Sequence, residues 1–144
     1  MIGKEAYSKL FGFEAKSTLE IKALVELSSK ISDKDSFILL LDKKEIVKKR
    51  AVPAYLNGVL HLKEELMRTE SLEKEILILI SNFKDIRKAV EDVGAKTSNG
   101  FIVLSNSKKD LEEFIKKGKV NILNELMLEL DYEAASNVLS KNLS

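Results

Sequence analysis

One hundred and forty-four residues, 44% hydrophobic and 33% charged, suit a single soluble globular domain long enough to bury its own core. A net charge of +1 excludes a strongly basic nucleic-acid coat, and the absence of cysteine excludes disulfides and thiolate chemistry. No apolar run reaches the length of a membrane span, and the start, MIGKEAYSKLF, lacks the apolar stretch of a signal peptide, so the expected location is cytoplasmic.

Tyr7 to Ala15 crowds aromatic and apolar residues around Gly12 and reads as a first strand. Ser17-Thr18-Leu19-Glu20 reads as a capping box opening a helix whose inner stripe is Ile21, Leu24, Val25, Ser28 and Ile31. Ser32 to Asp35 is a polar loop. Phe37 to Leu41, FILLL, is short and apolar throughout, the signature of a buried central strand. The segment Asp42 to Arg50 sums to +3 (five basic, two acidic), and Pro53 then suits the first turn of a helix carrying Leu56, Val59, Leu60, Lys63 and Met67. Thr69 to Ser71 breaks that spacing and offers a cap for the next segment.

Ile76 to Ile80 is apolar at every position, so periodicity cannot separate a buried helix from a buried strand, and the residues by themselves favour a strand. Ser81 to Asp85 is a polar joint. Ile86, Ala89, Val90 and Val93 then fall at helical spacing, with Arg87–Glu91 and Lys88–Asp92 as opposite-charge pairs outside. Gly94 stands where a chain leaving a helix often needs a positive φ. Asn99-Gly100 is a turn and Phe101 to Ser105 a second buried strand. Ser107 with Asp110 opens a capped helix with Leu111, Phe114 and Ile115 inside and Gly118 at its end. Val120 to Leu123 reads as an edge strand, and Leu126, Leu130, Ala134, Val138 and Leu139 as a terminal helix in a tail that sums to −3 over Asn121 to Ser144 (one basic, four acidic). The expected fold is α+β: a single compact domain over residues 1–144, its small central sheet covered by several helices.

The residues that carry enzyme chemistry are sparse. No glycine spacing fits a phosphate-cradling loop, and His61 is the sole histidine, without a second His or a Cys to share a metal or activate a nucleophile. His61 reads as a helix-surface residue, or as a half-buried one with a backbone partner. The expectation is a non-enzyme without metal, cofactor or small-molecule substrate. An enzyme with an unrecognised site is the outlying alternative.

The block Glu73 to Lys96 resembles the signature of the small accessory subunit of the KEOPS complex, the PRPK-binding protein family, in its archaeal type. That pattern runs E-I-L, a few apolar residues, Ser-Gly-x-Arg-Gln-Ile, two residues, Ala-Ile and a closing Gly. Glu75-Ile76-Leu77, Ser81, Ile86, Ala89-Val90 and Gly94 match it. Asn82 stands where the pattern has Gly, Lys84 where it has Arg, and Asp85 where it has Gln. Lys84 keeps the charge but not the planar two-pronged donor. The family pattern often has a His before the Pro53 helix, and this chain has none there. The resemblance covers about a sixth of the chain, and it implies that Leu72 to Ile80 is helical.

It also implies a function. The family member is a non-catalytic subunit of the complex that makes threonylcarbamoyladenosine next to the anticodon of tRNA. It docks on the kinase-like ATPase subunit and helps to hold the tRNA through its single-stranded 3′ CCA end. Such a tail is gripped by cationic contacts to phosphate and by bases stacked on apolar faces. Ser81, Asn82, Phe83, Lys84 and Arg87, near a helix N-terminus, and Lys48, Lys49 and Arg50 are the candidates for that role. Phe83 reads first as a core residue and second as a stacking surface, and the basic run reads equally as solvated surface. Leu56, Val59, Leu60, Leu77 and Ile80 are the candidates for the docking face, each taken singly being also a core residue. A rival reading is a stand-alone protein-interaction module with no RNA role, working through its acidic C-terminal helix.

Overall fold

A computed structural model describes residues 9–82, 85–126 and 128. Four strands, β1 (Phe11–Ser17), β2 (Ile38–Leu41), β3 (Phe101–Ser105) and β4 (Val120–Glu125), form one antiparallel sheet in the order β2-β3-β1-β4. Among the described residues, five helices pack around it: α1 (Ile21–Ile31), α2 (Lys44–Lys63), α3 (Leu72–Ser81), α4 (Ile86–Val93) and α5 (Lys108–Lys117). The fold is α+β. None of these helices is long and apolar enough to cross a membrane.

The apolar runs at β2 and β3 have a simple cause. Leu39, Leu41, Ile102 and Leu104 point to a core built with α2, α3 and α4. Ile38, Leu40, Phe101 and Val103 point to a second core built with Leu24 of α1 and Leu111 and Phe114 of α5. Alternate residues of one strand thus enter different cores, and both must be apolar.

Several expectations are corrected. The FILLL strand lies at an edge of the sheet, not in its middle. Its outer side is nonetheless closed, because Asp42 N–H donates to Val93 O (2.8 Å) and Ala95 N–H to Leu40 O (3.0 Å) as the chain leaves α4. Ser17 caps no helix. It is the last residue of β1, paired opposite Val120, its hydroxyl bonded to the Gly118 carbonyl, and α1 starts later with Glu20 as an N-cap that makes no side-chain bond. Pro53 sits inside α2, nine residues after Lys44, rather than opening a helix. A proline there removes a hydrogen bond and costs about 3 kcal/mol. Burial of Val47, Ala51, Ala54, Tyr55, Gly58 and Val59 along one side carries the helix through it. Met67 lies beyond the helix, which ends at Lys63.

Gly94 has φ −67°, so the left-handed conformation expected there is absent. A Cβ on it would stand 2.6 Å from the Val90 carbonyl oxygen, which is reason enough for glycine. Val90 is 49% exposed rather than inward-facing, and Asp92 pairs with Lys43 at 2.9 Å. The first strand runs from Phe11 to Ser17; Tyr7 and Ser8, and the expected helix beyond Leu126, fall outside the described residues except for Leu128.

Ile76 to Ile80 is helical. α3 lies tightly on α2: a Cβ on Gly58 would stand 2.9 Å from Ile76 Cγ1 and 3.2 Å from Leu72 Cδ1. The pair is also tied by a fully buried carboxylate, Glu75. Its Oε2 lies 2.6 Å from His61 Nδ1, which carries the proton in such a contact, and 3.5 Å from Arg68 Nε. Its Oε1 accepts from the Arg68 backbone N–H at 3.0 Å and lies 3.1 Å from the Thr69 hydroxyl. The partner of His61 is therefore a carboxylate, not the backbone group expected.

Burial alone raises the Glu75 pKa, but the His61 ring, the Arg68 N–H, the Thr69 hydroxyl and the Arg68 charge outweigh it and hold the carboxyl below its ordinary 4.5. A carboxyl depressed in the folded state contributes stability that is present above its unfolded pKa and is lost as pH falls through its folded one. Urea unfolding across a pH series should show the parent losing stability progressively below 4.5, with a shallower loss in Glu75→Gln. At neutral pH Glu75→Ala should cost about 2 kcal/mol, since it leaves the part-buried His61, Arg68 N–H and Thr69 groups without their shared acceptor and opens a cavity beside them. Parallel pH profiles for parent and Glu75→Gln would contradict this account of the pair.

Candidate nucleic-acid interface

The polar joint begins where α3 ends. Ser81 is buried and its hydroxyl donates to Ile78 O at 3.1 Å, so its proton is given to the helix end. Asn82 is exposed and left-handed, φ 65°, and its N–H donates to Ile78 O at 2.8 Å. A positive φ is the conformation in which glycine is most at ease and asparagine the best-tolerated side chain. Asn82 thus occupies a turn that favours glycine and tolerates asparagine. Phe83 and Lys84 fall outside the described residues.

α4 opens with Asp85 as N-cap, its Oδ1 accepting from Arg87 N–H at 2.9 Å. The helix N-terminus expected to attract a phosphate therefore already faces a carboxylate of its own chain. Arg87 is exposed on the first turn, at the same end of the domain as Asn82 because the joint between them is short.

The basic run of α2 does not form one patch. Arg50 Nη1 donates to Ile80 O at 2.9 Å, placing a guanidinium at the C-terminal end of α3, where the helix dipole is negative and carbonyls lack partners. Arg50 thus joins the polar joint, with part of its donor set spent on the helix end. Lys48, two residues away, lies about 200° round the helix. Its charge, with that of Lys44, acts on Glu14 of β1 instead: hydrogen bonds from Lys44 and Asn124 are the main causes that lower the Glu14 pKa, and the Lys48 charge adds to them. Lys44 Nζ lies 3.2 Å from Glu14 Oε1. Lys49 is exposed between these two directions.

Of the apolar docking candidates, Leu56, Val59, Leu77 and Ile80 are all buried, and Val59 and Ile80 have no exposed surface. Val59, Leu77 and Ile80 belong to the core between α2, α3 and the sheet. Leu60 alone of the five is half-buried and keeps a surface that a partner can reach. Among the described residues, no group of three His, Asp or Glu side chains is placed to hold a metal ion.

Two placements here differ from those expected from the sequence: the Arg50 contact across to α3, and Asp85 as an internal anion at the helix start. The second was open to reading, since aspartate directly before an amphipathic run is a strong N-cap signal. No family model matches the chain, and no curated protein matches it.

Asp85→Asn keeps a competent cap while removing the charge that an incoming phosphate must meet. On the expectation that RNA reaches this end of the domain, the affinity of the variant for tRNA should rise about threefold at low salt, with the difference fading as salt screens it. Equal affinity for parent and variant in a fluorescence-anisotropy titration would place the start of α4 away from bound RNA.

Proposed function

We propose that this chain is the non-catalytic small subunit of a KEOPS-type tRNA threonylcarbamoyladenosine-modifying complex. In this reading it docks on the kinase-like ATPase subunit and helps to bind substrate tRNA by the 3′ CCA end. The observation that carries the reading is the backbone at Asn82. The resemblance puts glycine at that position, and the chain adopts there, at the end of α3, the left-handed conformation that glycine favours. The helix over Leu72–Ser81 adds support, because the residues alone favour a strand in that stretch and the resemblance calls for a helix.

The chemistry of the joint suits a single-stranded tail. Asn82 offers an amide to base edges at an exposed turn, Arg87 a charge for phosphate, and Arg50 a second guanidinium close by. Binding of this type is local, which agrees with a chain of net charge +1. Leu60, on the outer side of α2, is the position from which an apolar contact to the ATPase subunit would extend.

The test compares intact tRNA with the same tRNA lacking its 3′ CCA, at two salt concentrations. Tail-dependent binding that weakens with salt is the expected result. Arg87→Glu should lower the affinity about tenfold while leaving stability within about 0.5 kcal/mol, since the side chain is exposed. Identical affinities for the two tRNAs, or none, would remove the RNA role and leave a protein-docking module.

A further inference from the structure

At the other end of α3 stands a carboxylate that the RNA reading does not use. Glu73 lies in the first turn, about 12 Å along the helix axis from Ser81. It lines a crevice of about 90 Å³ floored by Leu39, Leu40 and Leu77. Val25 of α1 and Val90 of α4 form its mouth, 42% and 49% exposed although their helical spacing marks both for an interior. Apolar surface thus flanks an acid on two sides, and Glu73 is the one ionisable side chain among the described residues that line the crevice.

Burial raises the Glu73 pKa above its ordinary 4.5, an effect that the nearby Ser32 hydroxyl, the Lys74 charge and the Ser29 hydroxyl only partly oppose. Lys74, the adjacent cation, is turned to Glu70 at 3.5 Å. A half-buried carboxylate among apolar groups is stabilised most by a cation that brings its own apolar cover. Lysine has that construction: a compact ammonium on a four-carbon stem. The Ser32 and Ser29 hydroxyls already bond the Glu73 carboxylate, which suits a compact ammonium better than arginine's two-pronged fork, whose best partner is a carboxylate with both oxygens free.

We propose that the α1–α3–α4 crevice is a docking site for a lysine side chain of a protein partner, its stem against Val25 and Val90 and its ammonium on the Glu73 carboxylate. This site is independent of the polar joint and stands whether or not the chain binds tRNA.

The probe is n-butylammonium, the lysine side chain without its backbone, titrated into the full chain and followed by amide NMR. Shifts should centre on Val25, Leu77, Val90 and Ala95. n-Butanol, the same length without the charge, should bind about tenfold more weakly, the difference expected of one charge-assisted contact. Glu73→Gln should reduce n-butylammonium binding to the level of n-butanol, with the amide spectrum outside the crevice unchanged. Equal binding of the two probes to the parent chain overturns the proposal without recourse to any variant. So does a response centred elsewhere, or undiminished n-butylammonium binding by Glu73→Gln.

Discussion

The structure depends on a four-stranded sheet whose strands β2 and β3 are buried on both faces. α2, α3 and α4 cover one side, and α1 and α5 the other, so the strands supply two separate cores. A small domain cannot spread its apolar residues more widely than this and still fill both layers. The helices are held by what they cover, which explains how α2 survives a proline in its middle and how an eight-residue α4 persists at all.

Within that frame α3 is fixed at both ends by side chains of α2 and its connection. Glu75 near its start gathers His61, Arg68 and Thr69, and Arg50 meets the Ile80 carbonyl at its end. Between them Gly58 lets Ile76 approach the α2 backbone. The polar joint and the Glu73 crevice therefore sit at opposite ends of a single well-anchored rod. A surface carried on such an element keeps its geometry when a partner arrives, so little ordering free energy is lost on binding.

Much of this was legible in the sequence, and the failures have physical causes. Ser107 and Ser71 cap the helices that begin after them, as local spacing indicates. Phe101 to Ser105 and Val120 onward are strands, as their residues suggest. The first half of α2 was hidden because Lys44 to Arg50 offers only Ile46 and Val47 to mark an inner face, and Pro53 is a stronger signal than either. Ser17 was misread because S-x-x-E has the same form in a strand end as in a cap, and only pairing with Val120 decides between them. The inward position of Glu75 went unread. Leu72, Ile78 and Leu79, at i−3, i+3 and i+4, mark it as inward-facing, and the one histidine supplies its partner. In the candidate site, the local turn chemistry at Asn82 and Asp85 could be read from the chain, whereas the separation of Arg50 from Lys48 needed the helix axis.

The closed outer side of β2 limits how this protein can aggregate. Ser32 Oγ takes the Ile38 N–H, and the chain at Val93 to Ala95 takes Leu40 and Asp42, so that border of the sheet has few free groups. Among the described residues β4 is the opposite border, exposed at five of its six residues, Ile122 and Leu123 among them. A sheet open on two sides can be extended by copies of itself without limit, as fibrils are. One open on a single side can be joined only once, after which the stack ends.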